Sequence, residues 1–259
     1  MPRDNAAYRR VTAARAKGRR VASDYIDALF TGFFEMHGDR HFGDDPAVVG
    51  GIAEFKGQPV TVIALEKGHD LQEKSMRNFA SAHPEGYRKA LRHMRLAEKF
   101  GRPVICIVDT AGAYCGVEAE ERGQGTAIAE NLMAMASLRV PIVSLFIGEG
   151  GSGGALALAV ADRILMLENS VYSVISPEGC ASILWKDTAR APEAAAALKL
   201  TPKDLRAAGV IDHIIGEDDK LFAKLRTQLA KTLARLCAQS TDALLEARYQ
   251  RFRKVGTWE

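Results

Sequence analysis

The sequence is poor in cysteine and contains no long apolar run. Its four cysteines among 259 residues, Cys106, Cys115, Cys180 and Cys237, never form a Cys-x-x-Cys pair. This spacing excludes a zinc ribbon and disfavours a disulfide framework, so we expect a reducing, cytoplasmic compartment. No window reaches the roughly 18 consecutive apolar residues of a membrane-spanning helix. No apolar stretch follows the basic N-terminus, so we predict no secretory signal.

Net positive charge is confined to one segment. Residues 1–20 hold seven basic residues and one acid, a charge of +6, whereas the whole chain carries +3. The other 239 residues therefore have 28 basic and 31 acidic side chains, a charge of −3. A basic arm on a mildly acidic body does not favour a nucleic-acid-binding protein. We predict a solvated, basic helical arm over residues 1–22, followed by a single domain over residues 23–259.

Apolar segments typical of strands alternate with helical segments after the arm. Val48–Phe55 and Val60–Leu65 have the pattern of two strands joined by a turn. Val104–Val108 and Ile142–Ile147 are near-continuous apolar runs, as expected of strands covered on both faces. Residues 67–83 have weak periodicity, and we interpret them as a loop. The alternation predicts an α/β domain with largely parallel strands.

Glycine is in excess in one part of the chain. Ten of the 23 glycines lie between Gly101 and Gly154, and five fall within Gly148–Gly154, between an apolar strand and a short helix. Consecutive glycines at such a junction expose N–H groups at the positive end of a helix dipole, where an oxyanion can bind. The preceding strand ends in a second small-residue loop, Asp109–Tyr114. We expect the two loops to lie side by side and to share a pocket.

Two other patterns overlap the glycine segment. Gly148–Gly153 matches the dinucleotide pattern G-x-G-x-x-G, with Glu168 in the place of the ribose-binding acid. Gly150–Gly154 matches the G-x-S-x-G elbow of serine hydrolases, with Ser152 as nucleophile and His213 as its candidate base. The helix after the glycines is short for a dinucleotide site, and one candidate histidine gives a triad little support. An NAD-binding enzyme and a serine hydrolase both stay open at this point.

Longer runs resemble the α subunits of the carboxyltransferase of bacterial acetyl-CoA carboxylase. Beside the glycine segment, the resemblance is carried by His37–Arg40, Asp44–Ala53, Arg77–Phe79, His83–Arg92, Gly112–Tyr114, Ala119–Gln124 and Ser176–Trp185. It extends from about Ser23 to Arg251. It implies an α/β, crotonase-like spiral of ββα units with N- and C-terminal helices, in place of an open Rossmann-type sheet.

The same resemblance implies an activity and its partners. It implies transfer of a carboxyl group from carboxybiotin, on a biotin carboxyl carrier protein, to acetyl-CoA, which forms malonyl-CoA for fatty acid biosynthesis. The working unit would be an α2β2 heterotetramer in which the β subunit carries the zinc and most of the acetyl-CoA site, with biotin carboxylase as a further partner. A carboxyltransferase subunit for a different acyl-CoA is the nearest alternative. We expect no metal on this chain, and neither nucleic acid nor membrane among its partners.

The resemblance also implies site residues. The N–H groups of Gly150 and Gly151 resemble the family's oxyanion hole for the ureido oxygen of biotin. Further substrate contacts are predicted for Gly112, Ala113, Tyr114, Arg77, Gly148 and Ser152. Many family members have proline where this chain has Ala111 and Cys115, so the loop after the first buried strand departs from the family there.

Overall fold

A computed structural model describes residues 6–256 of the chain. Its elements are, in chain order, α1 (Ala6–Ala14), α2 (Ala22–Leu29), β1 (Thr31–Glu35), β2 (Val48–Phe55), β3 (Gln58–Leu65), α3 (Leu71–Met76), α4 (Pro84–Lys99), β4 (Val104–Thr110), α5 (Val117–Glu121), α6 (Gln124–Ser137), β5 (Ile142–Gly151), α7 (Ser152–Leu156), β6 (Arg163–Leu167), β7 (Val171–Ser173), α8 (Pro177–Trp185), α9 (Ala191–Ala197), α10 (Pro202–Ala207), β8 (His213–Ile215), α11 (Leu221–Cys237) and α12 (Thr241–Arg253). Short 3₁₀ helices span Asn78–Ala80 and Thr188–Arg190. Within residues 6–256, no helix has both the length and the apolar character to cross a membrane.

One eight-stranded mixed sheet organises the fold. Its strand order is β1-β2-β3-β4-β5-β6-β8, and β7 is attached to β5. The first three strands pair antiparallel, whereas β3, β4, β5, β6 and β8 run parallel. The first half of β5 pairs with β6, and its last residues, Glu149–Gly151, pair with β7. The carboxyl ends of β4 and β5 therefore lie next to each other, where the two small-residue loops begin.

Apolar side chains cover the parallel strands on both faces. Along β4, Cys106 and Val108 join the core that includes residues of α4 and α6. Ile105 and Ile107 alternate with them and join the core that includes residues of α2 and α11. Every residue of β4 is buried. This two-sided burial explains the unbroken apolar runs and confirms the predicted parallel strands.

The segment predicted as a loop, residues 67–83, contains short helices. In α3 none of the residues is buried, so no apolar stripe marks the helix in the sequence. Asp70 caps α3 by accepting the backbone N–H of Glu73. Asn78, Phe79 and Ala80 follow with φ of +46°, +53° and +61°. Three successive left-handed residues with side chains are a strained backbone that tertiary packing must hold.

The N-terminal arm packs onto the body, although its charge predicts a solvated helix. In α1, Val11 and Ala14 are buried with Val171 and Leu200 in a small apolar cluster. Positions three apart lie on one face of a helix, so this short apolar face suffices to dock the arm. The predicted boundary between arm and domain falls at the start of α2, and the division into arm and domain stays a prediction.

A buried histidine under β2 makes the fold sensitive to acid. His93 is 0% exposed, donates from Nε2 to the carbonyl of Met36 at 3.1 Å, and its Nδ1 has no partner. Burial, and then the charges of Arg92 and Lys89, lower its pKa from 6.5 to about 3. The unfolded chain takes up this proton near pH 6.5, so stability is complete above that pH and falls as the pH decreases towards 3.

We therefore expect the free energy of unfolding to fall by roughly 2 kcal/mol more between pH 6.5 and pH 5 in the wild type than in a His93→Gln variant. Urea unfolding of the two proteins at several pH values measures the difference. Only the slope against pH is compared, so a loss of stability caused by the substitution itself does not enter. Parallel pH profiles would contradict the assignment to His93.

Candidate functional site

The loop after β4 packs directly against the glycine-rich end of β5. A Cβ on Gly151 would lie 1.9 Å from the carbonyl oxygen of Ala111, and one on Gly154 would lie 2.5 Å from the nitrogen of Ala113. Contacts this short leave no space for a side chain at either glycine. The predicted adjacency of the two loops is confirmed, and glycine is the residue that permits it.

Gly150 and Gly151 are the last residues of a strand. Gly150 is paired with Thr110 of β4 on one side and with Tyr172 of β7 on the other. Gly151 is paired with Ser173 of β7. Successive N–H groups of a strand point alternately to its two sides. Gly150 has a paired strand on both sides, and Gly151 lies between β7 and the loop residue Ala111, so neighbouring backbone encloses both glycines.

Helix α7 starts immediately after this strand. The first N–H groups of an α-helix have no acceptor within the helix, and in α7 they belong to Ser152, Gly153 and Gly154. Ser152 has φ of +51°, a left-handed conformation that is uncommon for a residue with a side chain. A Cβ on Gly153 would meet its nearest neighbour, Ile128, at 3.7 Å, an ordinary contact distance. The turn from strand to helix thus has backbone donors without acceptors inside the helix, and Gly153 has room for a methyl group.

A cavity of about 350 Å³ opens beside the start of α7. Its volume falls in the range of small-molecule sites. Ser152 and Gly153 form part of its wall. The rest of the wall is mainly apolar and consists of Leu156, Tyr172, Ser173, Val174, Leu198, Leu205 and Val210. An apolar wall next to backbone donors suits a ligand with an apolar body and one polar oxygen.

A chain of charges lies behind the glycine segment, and its members Lys67, Asp109 and Glu149 are largely buried. Lys67 Nζ is 2.7 Å from Asp109 Oδ1 and 3.2 Å from Glu149 Oε2. The same Asp109 oxygen accepts the backbone N–H of Glu149 at 2.8 Å. Arg15 Nε lies 2.7 Å from Glu149 Oε1, and its Nη1 lies 2.9 Å from Glu178 Oε1. These contacts join the arm, the loop after β3, β4 and the end of β5.

The charges in this chain keep one another ionised. Burial favours a lower pKa for Lys67, but the charges of Asp109 and Glu149 outweigh it and raise its pKa. Burial favours a higher pKa for Glu149, but Lys67 and Arg15 lower it. A lysine with a raised pKa stays protonated at neutral pH, so Lys67 is not available as a proton acceptor.

This network is not apparent from the sequence. Its signal was a charged residue at the carboxyl end of each of two buried strands, since Lys67 follows β3 after Glu66 and Asp109 lies within the end of β4. Charged residues at such places face each other across a parallel sheet. Glu149 could not be recognised from the sequence as part of the network because it lies between glycines. Arg15 could not be recognised because it belongs to the basic arm.

The predicted substrate residues of the two loops lie around this contact. Gly112 donates its N–H to Thr110 Oγ1 at 3.1 Å. This hydrogen bond fixes the backbone of the loop directly before Ala113. A Cβ on Gly148 would lie 2.3 Å from Asp109 Oδ1, so glycine makes room for that carboxylate. Ser152 is exposed at the mouth of the cavity.

Tyr114 and Arg77 lie further out. The Tyr114 ring stacks on His83 with ring centroids 4.0 Å apart, and its hydroxyl donates to Glu118 at 3.0 Å. Arg77 ends α3 and donates to the carbonyl of Pro46 at 2.8 Å. The contacts of the described residues do not link Arg77 to either loop, so it stands apart from the group of predicted site residues.

The structure does not assemble the two alternative sites. His213 is on β8, paired with Leu165, and borders a separate cavity in which Ser152 takes no part. Glu168 accepts the backbone N–H of Glu217 at 2.8 Å, and α7 has only five residues. The residues of a Ser152–His213 triad are therefore not brought together, and Glu168 and α7 do not form a dinucleotide site.

A larger cavity, of about 600 Å³, lies away from the glycine segment. Its arginines are already paired: Arg88 with Asp39 at 2.8 Å, and Arg122 with Glu85 at 2.6 Å. Because both arginines are already paired with carboxylates, this cavity does not offer an unoccupied binding site for an anionic ligand. Among residues 6–256, no three His, Cys, Asp or Glu side chains come together as a metal would require.

Known proteins identify the family. The family described as acetyl co-enzyme A carboxylase carboxyltransferase-like matches residues 4–256. The acetyl-coenzyme A carboxylase carboxyl transferase subunit alpha of Ruminiclostridium cellulolyticum is 58% identical over 254 residues, which are 96% of this chain and 98% of that protein. The acetyl-coenzyme A carboxylase carboxyl transferase subunits beta/alpha of Natranaerobius thermophilus are 55% identical over 257 residues, which are 96% of this chain and 42% of that one.

A solved structure shows the same fold. The transcarboxylase 12S crystal structure with methylmalonyl-coenzyme A bound superposes with a TM-score of 0.73 at 19% identity, covering 87% of this chain and 43% of that one. This chain thus spans less than half of the transcarboxylase chain, and the likeness confirms the crotonase-like α/β fold. From the family match and the identity to curated relatives, the chain belongs to the family of acetyl-coenzyme A carboxylase carboxyltransferase α subunits.

Proposed function

We propose that this chain receives carboxybiotin from a carrier protein and supports transfer of its carboxyl group to acetyl-CoA, forming malonyl-CoA for fatty acid biosynthesis. The observation that carries the proposal is the backbone turn at the end of β5, where Ser152 and Gly153 at the start of α7 line a mainly apolar cavity of about 350 Å³. This combination fits the head group of biotin, a fused apolar ring with one ureido oxygen. The apolar wall would hold the ring, and the donors would hold the oxygen.

The turn is suited to stabilise negative charge. Carboxybiotin supplies the carboxyl group, and charge develops on the ureido oxygen as that group leaves. Backbone N–H groups fixed before the reaction stabilise such charge without reorganisation. No side chain of this chain needs to act as a base at this oxygen.

The donors that we assign lie three residues beyond the pair predicted from the sequence. Gly150 and Gly151, which belong to β5 and pair with its neighbouring strands, would form the floor of the proposed oxyanion hole. Gly153 and Gly154 at the start of α7 supply the N–H groups. Gly112, Ala113, Gly148 and Ser152 border the substrate at the same place, and Tyr114 and Arg77 would meet it only at the periphery.

The proposed partner is a β subunit that completes the site. The name of the Natranaerobius protein combines subunits beta and alpha in one chain, which supports such a partner. We propose an α2β2 heterotetramer in the cytoplasm, with the zinc and most of the acetyl-CoA site on β. The biotin carboxyl carrier protein would bring the substrate, and biotin carboxylase would recharge it.

Reconstitution with a β subunit tests the proposal. The expected result is malonyl-CoA-dependent carboxylation of biotin by the mixture and none by either chain alone. A complex that assembles without this activity would contradict the proposal. A clear preference for another acyl-CoA would favour the alternative substrate, and a fluorophosphonate adduct on Ser152 would favour a hydrolase.

A further inference from the structure

We propose that Arg15 of the N-terminal arm is a positioning residue for carboxyl transfer, which acts through Glu149 on the glycine segment. This inference rests on the proposed function of that segment. It assigns to the basic arm a part in the reaction that its charge pattern does not suggest.

Arg15 connects two elements at the back of the site. Its Nε contacts Glu149 at the end of β5, and its Nη1 contacts Glu178 in the first turn of α8. The Glu149 side chain is only 11% exposed, so this ion pair is screened less than one on the surface. Arg15 also borders a small cavity of about 40 Å³ that Gly150 and Gly151 line as well. The arm is therefore part of the wall behind the glycines.

Glu149 is held at three points, of which Arg15 provides one. Its backbone N–H donates to Asp109, and its carboxylate contacts Lys67 and Arg15 with different oxygens. Without Arg15, the carboxylate keeps Lys67 and stays paired. However, the Glu149 carboxylate then has Lys67 as its only cation, and its side chain can shift towards Lys67. Because Glu149 directly precedes Gly150 in β5, such a shift moves the turn that presents the donors.

The arm has other anchors, so loss of Arg15 need not detach it. Val11 and Ala14 stay buried against the body. Arg19 donates from Nε to the carbonyl of Ile147 at 2.9 Å and contacts Glu217 at 2.8 Å. An effect of Arg15 on the reaction would therefore come from its own contacts and not from release of the arm.

The test measures carboxyl transfer by the assembled α–β complex with Arg15→Ala, Arg15→Lys and, as control, Lys17→Ala. Lys17 is an exposed residue of the same arm, and its replacement by alanine removes one positive charge, as Arg15→Ala does. For Arg15→Ala we expect kcat to fall about tenfold at an unchanged KM for malonyl-CoA, as for a small misplacement of reacting groups. Arg15→Lys should recover only part of the loss, because an ammonium cannot reach both carboxylates as the guanidinium does.

Chemical rescue separates positioning from a merely structural role. Millimolar guanidinium ion should restore part of the kcat of Arg15→Ala, whereas equal concentrations of urea or sodium chloride should not. Equal kcat for Arg15→Ala and Lys17→Ala would overturn the inference. So would a loss that follows the melting temperature and does not respond to guanidinium. An inactive wild-type complex, in contrast, would overturn the proposed function. The failure of the Arg15 inference and the failure of the proposed function are therefore distinguishable.

Discussion

Replacing Gly153 by proline is expected to lower the kcat of carboxyl transfer about 10²–10³-fold, the usual cost of removing one oxyanion-hole donor. Proline lacks the N–H that Gly153 presents at the start of α7. It is otherwise tolerated in the first turn of a helix, where that N–H has no partner within the helix. Steady-state kinetics of the reconstituted complex, with assembly checked by size-exclusion chromatography, measure the effect.

Gly153→Ala is the matched control, because it adds a carbon and keeps the N–H. The added Cβ would meet Ile128 at 3.7 Å, so no neighbour has to move. We expect its kcat to stay within about threefold of the wild type, since the N–H that would hold the oxyanion is kept. Equal loss in the alanine and proline variants would show that space at this position, and not the N–H, controls the rate.

The same comparison cannot be made at Gly151, although the sequence points to it first. Any Cβ there would lie 1.9 Å from the Ala111 carbonyl, so alanine and proline would both displace the adjacent loop. A loss of activity in such variants would report packing and not oxyanion binding. The structure thereby moves the informative experiment from the strand end to the first turn of α7.

The glycine pattern predicts where the site lies, but not which donors are available. Two small-residue loops after adjacent parallel strands had to meet, and they do. Whether Gly150 and Gly151 belong to the loop or to the strand depends on β7, whose three residues pair with the end of β5. That pairing is a tertiary contact, and no local pattern in the sequence encodes it.

The fold follows from the sequence wherever burial is periodic. The runs in β4 and β5 are apolar because both of their faces are covered. Helix α3 escaped prediction because it buries nothing. The arm was predicted to be helical, but its docking onto the body was not, because two buried residues are a weak signal among seven basic ones. Buried ion pairs such as Lys67–Asp109 could not be predicted either, since a charged residue in a sequence usually indicates an exposed position.

Replacing Arg248 by methionine is expected to lower the free energy of unfolding by about 3–5 kcal/mol, the range for breaking a buried ion pair. Arg248 is 1% exposed and makes two hydrogen bonds of 2.8 Å to Asp162. It also donates to carbonyls in the last turn of α6 and in the segment that follows it, at 2.7 Å to both Met135 and Leu138, and at 3.0 Å to Val140. Methionine keeps most of the volume and none of these donors. Urea unfolding at neutral pH measures the loss.

Two further variants decide whether the ion pair accounts for that loss. Arg253→Met removes an exposed arginine from the same helix, α12, and should change stability by no more than about 0.5 kcal/mol. Asp162 is left buried without its cation in Arg248→Met, although it still accepts the N–H of Ile142 at 2.7 Å. Neutralising it as well, in Arg248→Met with Asp162→Asn, should cost clearly less than the sum of the single losses, because residues in contact do not act additively. Additive losses would mean that the three carbonyl contacts, and not the charge of Asp162, make Arg248 indispensable to the docking of the C-terminal helix.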